Sequence, residues 1–174
     1  MNTKLEIKDM AYIALMAVVI TLCSWISVPA AVPFTMQTFA VFCALLLLGG
    51  RRGMLAVALY ILLGAFGLPV FSGFKGGIGA LLGPTGGYIV GFLLCALLYL
   101  LLEGKIKDIV VLIIGNLVCY LFGTIWFVYV YSSGGKAISF GAALMLCVVP
   151  YLLPDAIKML LAFIVARRVK KLIP

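Results

Sequence analysis

Residues 150–166 read PYLLPDAIKMLLAFIVA, a run that is apolar almost throughout except for Asp155 and Lys158, three residues apart. A charged side chain at bilayer depth costs about 2.5–3.5 kcal/mol even on a lenient insertion scale. Two of them persist there when they pair with one another, line a cavity or hold a polar ligand. The residues around the run decide between these.

Working outward, the whole chain shares the character of this stretch. Of its 174 residues 66% are hydrophobic and only 10% are charged, and the mean hydropathy is +1.32. A soluble domain carries roughly 25% charged residues, so this chain has too few charges to solvate a globular surface. An all-α integral membrane protein is expected. Six apolar runs have the length a bilayer requires, about 20 residues each: 10–28, 34–50, 53–71, 84–102, 109–131 and 140–166. Together they form a single membrane domain over 1–174. The second opens with the partly apolar PFTMQTF, which leaves open a shorter helix preceded by a dipping loop.

A net charge of +8 would suggest nucleic acid in a soluble chain, but here the cations sit between the apolar runs. With six spans, Lys4, Lys8, Arg51, Arg52, Lys105, Lys107, Arg167, Arg168, Lys170 and Lys171 share one side. That is ten of the thirteen Lys and Arg. Lys75 and Lys136 lie opposite. The positive-inside rule then makes both termini cytoplasmic in a multi-pass protein of the cell membrane. The first run has no clear small-residue cleavage site before PAAVPF, so a retained span is expected and not a signal peptide. The five cysteines (Cys23, Cys43, Cys95, Cys119 and Cys147) all lie within apolar runs, without CxxC spacing and without any histidine in the chain. They read as small packing residues, and neither a metal site nor a bound cofactor is expected.

The apolar pattern is interrupted in four places. Three belong to the side opposite the cations: PAAVPFTMQTF, FSGFKGGIGALLGPTGGY and YSSGGKAIS. The second of these holds seven of the nineteen glycines between Gly73 and Gly87. Glycine lets the main chain approach another group closely, so Gly76-Gly77 and Gly86-Gly87, followed by Tyr88, are candidates for a lid or wall against a small ligand. A tight re-entrant turn without a ligand is the plainer alternative. No GxxxxGK[ST] occurs and Lys75 precedes the glycines, which argues against a phosphate cradle. The fourth interruption is the pair Pro150 and Pro154, each lacking a backbone donor. A helix restarting at Pro154 would place Asp155 in its first turn, where the helix dipole favours a negative charge, with Lys158 one turn further along the same face.

Other polar groups at depth are few. Asn116 is a candidate for cross-helix hydrogen bonding or ligand contact, and Thr35 and Gln37 sit at the entry of the second span. Trp126, Tyr129 and Tyr131 read as an interfacial aromatic anchor. Ala11, Ala14 and Ala17 form a small-residue stripe that would let another helix approach. No histidine base, GxSxG elbow, metal-ligand cluster or facing pair of carboxylates is present, so no enzyme is expected. The absence of Walker motifs means ATP is not hydrolysed by this chain. Asp155 is the sole acid at depth, which disfavours a proton relay. Recognition of a small neutral-to-anionic solute fits the residues better.

The runs PFTMQTFAVFCALLLLGGRRG, YILLGAFGLPVFSG, GALLGPTGGYIVGF and PDAIK, in this order from Pro33 to Lys158, resemble the BioY family, the biotin-binding S components of energy-coupling factor transporters. The resemblance implies a six-helix S-component bundle that captures biotin from the outer face. Its partners would be a transmembrane coupling subunit and a pair of ATP-hydrolysing subunits. It further implies that Asp155 and Lys158 hold biotin; the chemistry of that ligand would then give Asp155 the ureido N–H groups to accept and Lys158 the ureido oxygen to donate to. The tail carboxylate would reach toward Lys75. S components commonly dock through alanines four apart in the first helix, whereas those here are three apart, so Ala14 with Ala17 or Val18 is the expected docking face. Two other readings stay in play: an S component for thiamine or riboflavin, and a non-transporting membrane scaffold.

Overall fold

The computed structural model describes residues 5–135 and 138–172; Lys4 and Lys136, counted above for orientation, lie outside the described residues. The elements run α1 (Ile7–Trp25), β1 (Ser27–Val28), β2 (Phe34–Thr35), α2 (Gln37–Ala65), α3 (Ile78–Leu82), α4 (Gly86–Leu102), α5 (Asp108–Ser133), α6 (Phe140–Cys147) and α7 (Val149–Leu172). Among the described residues the regular structure is helical apart from one two-stranded hairpin and an isolated bridge between Phe71 and Lys75. Among the described residues there are seven helices where the sequence suggested six. By length and composition alone four of them could cross a membrane, namely α1, α2, α5 and α7, while α4 is a shorter apolar helix; the length of α2 is shared between two arms.

The differences from the expected spans have local causes. Residues 34–36 are not helical: β2 pairs antiparallel with β1, Ser27 opposite Thr35 and Val28 opposite Phe34, and the helix begins at Gln37. The stretch expected to form two separate helices is α2, and it is broken within: Gly49 has φ 78° and ψ 174°, a conformation essentially confined to glycine. A Cβ on Gly53 would lie 2.9 Å from the Cα of Leu45. In a straight helix residues eight apart are separated by about 12 Å along the axis, so the chain folds back on itself at Gly49. The helix then stops at Ala65 and not at residue 71. The N–H groups of Gly67 and Gly77 both return to the carbonyl of Gly64, and the ring of Phe71 packs where a Gly64 side chain would stand. At the other end of the chain the break falls at Val148 (φ −124°, ψ −55°), next to Pro150, which offers no N–H to the helix before it. The helix restarts at Val149, so Pro154 lies inside α7. Asp155 is therefore in the second turn of that helix, and the expected first-turn dipole contact is not made.

Helices in a bilayer gain little from hydrophobic burial and associate through close packing of small residues. The α4–α5 seam shows how. Gly91 faces Cys119, whose Sγ would be 2.7 Å from an added Cβ, and Gly115 faces Cys95 with the corresponding distance 2.6 Å. Glycine and cysteine are four apart in both helices, GFLLC in one and GNLVC in the other, so each glycine receives the cysteine of the opposing helix. Gly123 against Tyr88 and Gly87 against Trp126 continue the antiparallel ladder. All five cysteines are free thiols. The larger core lies between α1, α2, α4 and α7 around Ile20, Phe42, Val57, Tyr99 and Ala162. A smaller one joins α4, α5 and α6 around Tyr88, Phe127 and Cys147.

One end of the bundle is tied by its acids. Asp9 in the first turn of α1 accepts from Arg52 at 3.0 Å and from the Glu6 N–H at 3.2 Å. Glu103, at the end of α4, accepts from the Gly50 N–H at 2.8 Å. The start of α1, the fold-back of α2 and the end of α4 therefore meet at the same end, with Lys8, Arg51, Lys105 and Lys107 exposed around them.

Candidate functional site

Asp155 and Lys158 are each 4% exposed and form an ion pair, Lys158 Nζ to Asp155 Oδ1, at 2.8 Å. The i, i+3 spacing on α7 puts both on one helix face. Their remaining partners come from distant parts of the chain. Thr38 Oγ1 donates to Asp155 Oδ1 at 3.1 Å and Tyr120 Oη donates to Asp155 Oδ2 at 2.5 Å. The Lys158 ammonium also donates to the Thr35 carbonyl at 2.6 Å and to Thr38 Oγ1 at 3.2 Å, and it lies 4.0 Å from the centre of the Phe34 ring. An ammonium has three N–H donors, and here all three are engaged; a carboxylate has about four acceptor sites, of which three are filled. The pair is thus compensated inside the protein, as a buried pair must be to persist.

Lys158 and Tyr151 also fasten the β1–β2 hairpin to α7. Besides the Thr35 contact, Tyr151 Oη donates to the Val32 carbonyl, and the Phe34 and Tyr151 rings stack with centroids 6.1 Å apart.

Two hollows meet at this hairpin. The ion pair borders a small one of about 50 Å³, together with Thr38, Asn116, Cys119 and Tyr120. Beside it is a cavity of about 630 Å³ reaching toward the glycine-rich loop, lined by Ala30, Ala31, Gln37, Phe71, Lys75 and Thr85 among others. Val32, Pro33, Thr35, Tyr88 and Phe92 line both. The larger lies within the roughly 300–1,000 Å³ of small-molecule pockets, whereas the smaller has room only for water. Gln37 is 5% exposed and its Nε2 has no hydrogen-bond partner among the described residues. An unpaired buried amide costs about 1–3 kcal/mol, which a ligand acceptor in the cavity would offset.

The residues singled out from sequence therefore fall into three groups. Asp155, Lys158 and Asn116 border the small hollow, Gln37 and Lys75 the large one, and Thr35 and Tyr88 the wall between them. Gly86 and Gly87 border neither: a Cβ on Gly86 would overlap the Leu81 carbonyl, and Gly87 packs on Trp126. In α1, Ala11 and Ala14 are exposed, but Ala17 is 1% exposed and part of the core. A stripe through Ala11, Ala14 and Val18 is what the outer face presents. Trp126 is anchored by donation from Nε1 to the Gly83 carbonyl at 3.0 Å. Sequence reading missed Thr38, Tyr120 and Phe34, which complete the ion-pair cage.

Membrane-length apolar helices around one compensated ion pair and an adjoining cavity define a polytopic membrane protein with an enclosed polar site. The chain belongs to the BioY family, whose profile matches residues 1–174. It is 38% identical over 167 residues to the probable biotin transporter BioY of Pyrococcus horikoshii, covering 95% of this chain and 98% of that one. It is 42% identical over 154 residues to the biotin transporter BioY of Thermotoga maritima, covering 86% and 88%. With the biotin transporter BioY2 of Lactococcus lactis it shares 36% identity over 94% and 89% of the two chains. Its fold is similar to a crystal structure of the S-component for biotin from an ECF-type ABC transporter. The TM-score is 0.83 at 25% identity, over 98% of this chain and 95% of that one.

Proposed function

We propose that the protein is the biotin-capturing subunit of an energy-coupling factor transporter in the cell membrane. It would work with a transmembrane coupling subunit and a pair of ATP-hydrolysing subunits, and would not itself be an enzyme. The observation that carries this reading is a cavity of about 630 Å³ sharing a wall with a buried ion pair in a chain of this family. Six spans result when the two arms of α2 on either side of Gly49 count as two and α6 with α7 as one broken span. The basic end, held together by Asp9–Arg52 and Gly50–Glu103, then faces the cytoplasm and the cavity faces outward.

In this reading the fused rings of biotin enter the cavity between Phe92 and Tyr88, and Gln37 donates to the ligand. Asp155 has one acceptor site free for a ureido N–H. Lys158 has no donor free, so it reaches the ureido oxygen by releasing the Thr35 carbonyl, which moves the wall between the two hollows. The tail carboxylate points toward Lys75 on the exposed loop. Ala11, Ala14 and Val18 offer the face on which a partner helix would dock, as small-residue stripes do.

Equilibrium binding of radiolabelled biotin to the purified protein tests the reading, with thiamine and riboflavin as competitors. Saturable binding at nanomolar to micromolar concentration, displaced by biotin alone, is expected. Displacement by another vitamin reassigns the substrate, and no binding in that range overturns the proposal.

A further inference from the structure

A third hollow opens sideways between α5 and α7, with a volume of about 260 Å³. Its floor is Asn116, Tyr120 and Met159, each buried. Its rims are Ile113 and Leu117 on one helix and Leu152 and Leu160 on the other, exposed at 46–57%. Tyr120 meets Asp155 and Asn116 shares a hollow with Lys158, so the two helices run antiparallel here. From Tyr120 to Ile109 the groove follows α5 for about 16 Å at 1.5 Å per residue. That matches the depth of one leaflet, about half of a 30 Å hydrocarbon core. The Ile109 end lies two residues from Lys107 and four from Lys105, both exposed, at the end of the bundle where Lys8 and Arg51 are exposed as well.

We propose that this groove is a binding site for one acyl chain of an anionic phospholipid, its headgroup phosphate held at Lys105 and Lys107. Length selects a single chain in one leaflet, the apolar rims select hydrocarbon, and the lysines at the mouth select negative charge. The site has a consequence for the ion pair. Asn116 and Tyr120 line this groove and the small hollow alike, so the chain packs against the outer side of the residue that holds Asp155 Oδ2. The lipid thus forms the back wall of the ion-pair cage.

Quenching by brominated lipid tests the site. A Leu160→Trp variant places the probe on the groove rim, and a Leu97→Trp variant places one at similar depth on the lipid-facing side of α4, where Leu97 is 41% exposed. Both are reconstituted in phosphatidylcholine containing a small fraction of brominated phosphatidylglycerol. A tenfold preference, the scale expected of one or two lysines, fills about a third of the grooves at about 5% anionic lipid. An unselective position is filled about one time in twenty, so quenching at Leu160→Trp is expected to be several-fold stronger than at Leu97→Trp. Adding Lys105→Glu and Lys107→Glu to the groove variant is expected to abolish the excess while biotin binding reports that the protein remains folded. Equal quenching at the two positions, or an excess that survives both charge reversals, overturns the proposal and leaves the groove to unselective lipid or to a partner helix.

Discussion

Replacing Lys158 by Met removes the cation paired with the Asp155 carboxylate while keeping most of the side-chain volume. Asp155 would then be a buried anion held only by the hydroxyls of Thr38 and Tyr120. Breaking a buried pair from one side costs about 3–5 kcal/mol. At about 2–4 °C per kcal/mol for a chain of this size, the melting temperature should fall by roughly 6–20 °C. If Lys158 also contacts the ligand, truncating it should weaken biotin binding by about 2–5 kcal/mol, roughly thirtyfold to several-thousandfold in Kd. The decisive variant is the double replacement Asp155→Asn with Lys158→Met, which leaves no charge to compensate. Exchange of a buried pair for neutral residues is often neutral or stabilising, so its melting temperature should recover most of the loss. Binding should not recover. Thermal unfolding in detergent and radioligand binding on the same preparations give both numbers. If affinity returns together with stability, the pair is a structural lock and the ligand role assigned to it is wrong.

Three further outcomes follow from the packing and the cavity. Gly115→Ala forces a methyl to within 2.6 Å of Cys95 Sγ and should cost about 1–3 kcal/mol of stability; adding Cys95→Ala removes that sulfur and should restore most of it in the same thermal assay. Gly49→Ala must hold φ at 78° and crowds the Glu103 carboxylate, so a loss of about 1–3 kcal/mol or more is expected in denaturant titration, and no loss would refute the fold-back there. Lys75→Ala should weaken biotin by only two- to fivefold, since an exposed pair contributes about 0–1 kcal/mol, and should leave the affinity for biotin methyl ester unchanged. An equal effect on both ligands would separate Lys75 from the tail carboxylate.

What the sequence disclosed was governed by how local each signal is. Composition and the placement of arginine and lysine identify a membrane protein without any three-dimensional information, and α4 and α5 begin and end within two residues of their apolar runs. The entry to α2 was half legible: PAAVPFTMQTF breaks the apolar pattern and admits a shorter helix, which does begin at Gln37, but the pairing of Ser27 with Thr35 and Val28 with Phe34 as a hairpin leaves no local mark. The stop at Ala65 depends on Phe71 returning beneath Gly64, a contact that no window of hydropathy registers. In the site, Asp155 and Lys158 stand out because they are charged and three residues apart. Thr38 and Tyr120 are ordinary hydroxyls, 117 and 35 residues from Asp155, and nothing near them in the chain marks them. The spacing of glycine and cysteine in GFLLC and GNLVC was visible throughout, yet only the antiparallel seam shows that the two motifs serve one another.

The full engagement of the ammonium of Lys158 also bears on the membrane as an insulator. The protein buries a neutral pair, with every N–H of the cation already committed, and not a bare charge that would draw water and ions into the hydrocarbon. A stray sodium ion or proton meets a carboxylate already neutralised by Lys158 and held by two hydroxyls, with one acceptor site left. A charge pair closed on itself in this way leaves small ions little to settle on at that depth of the bilayer.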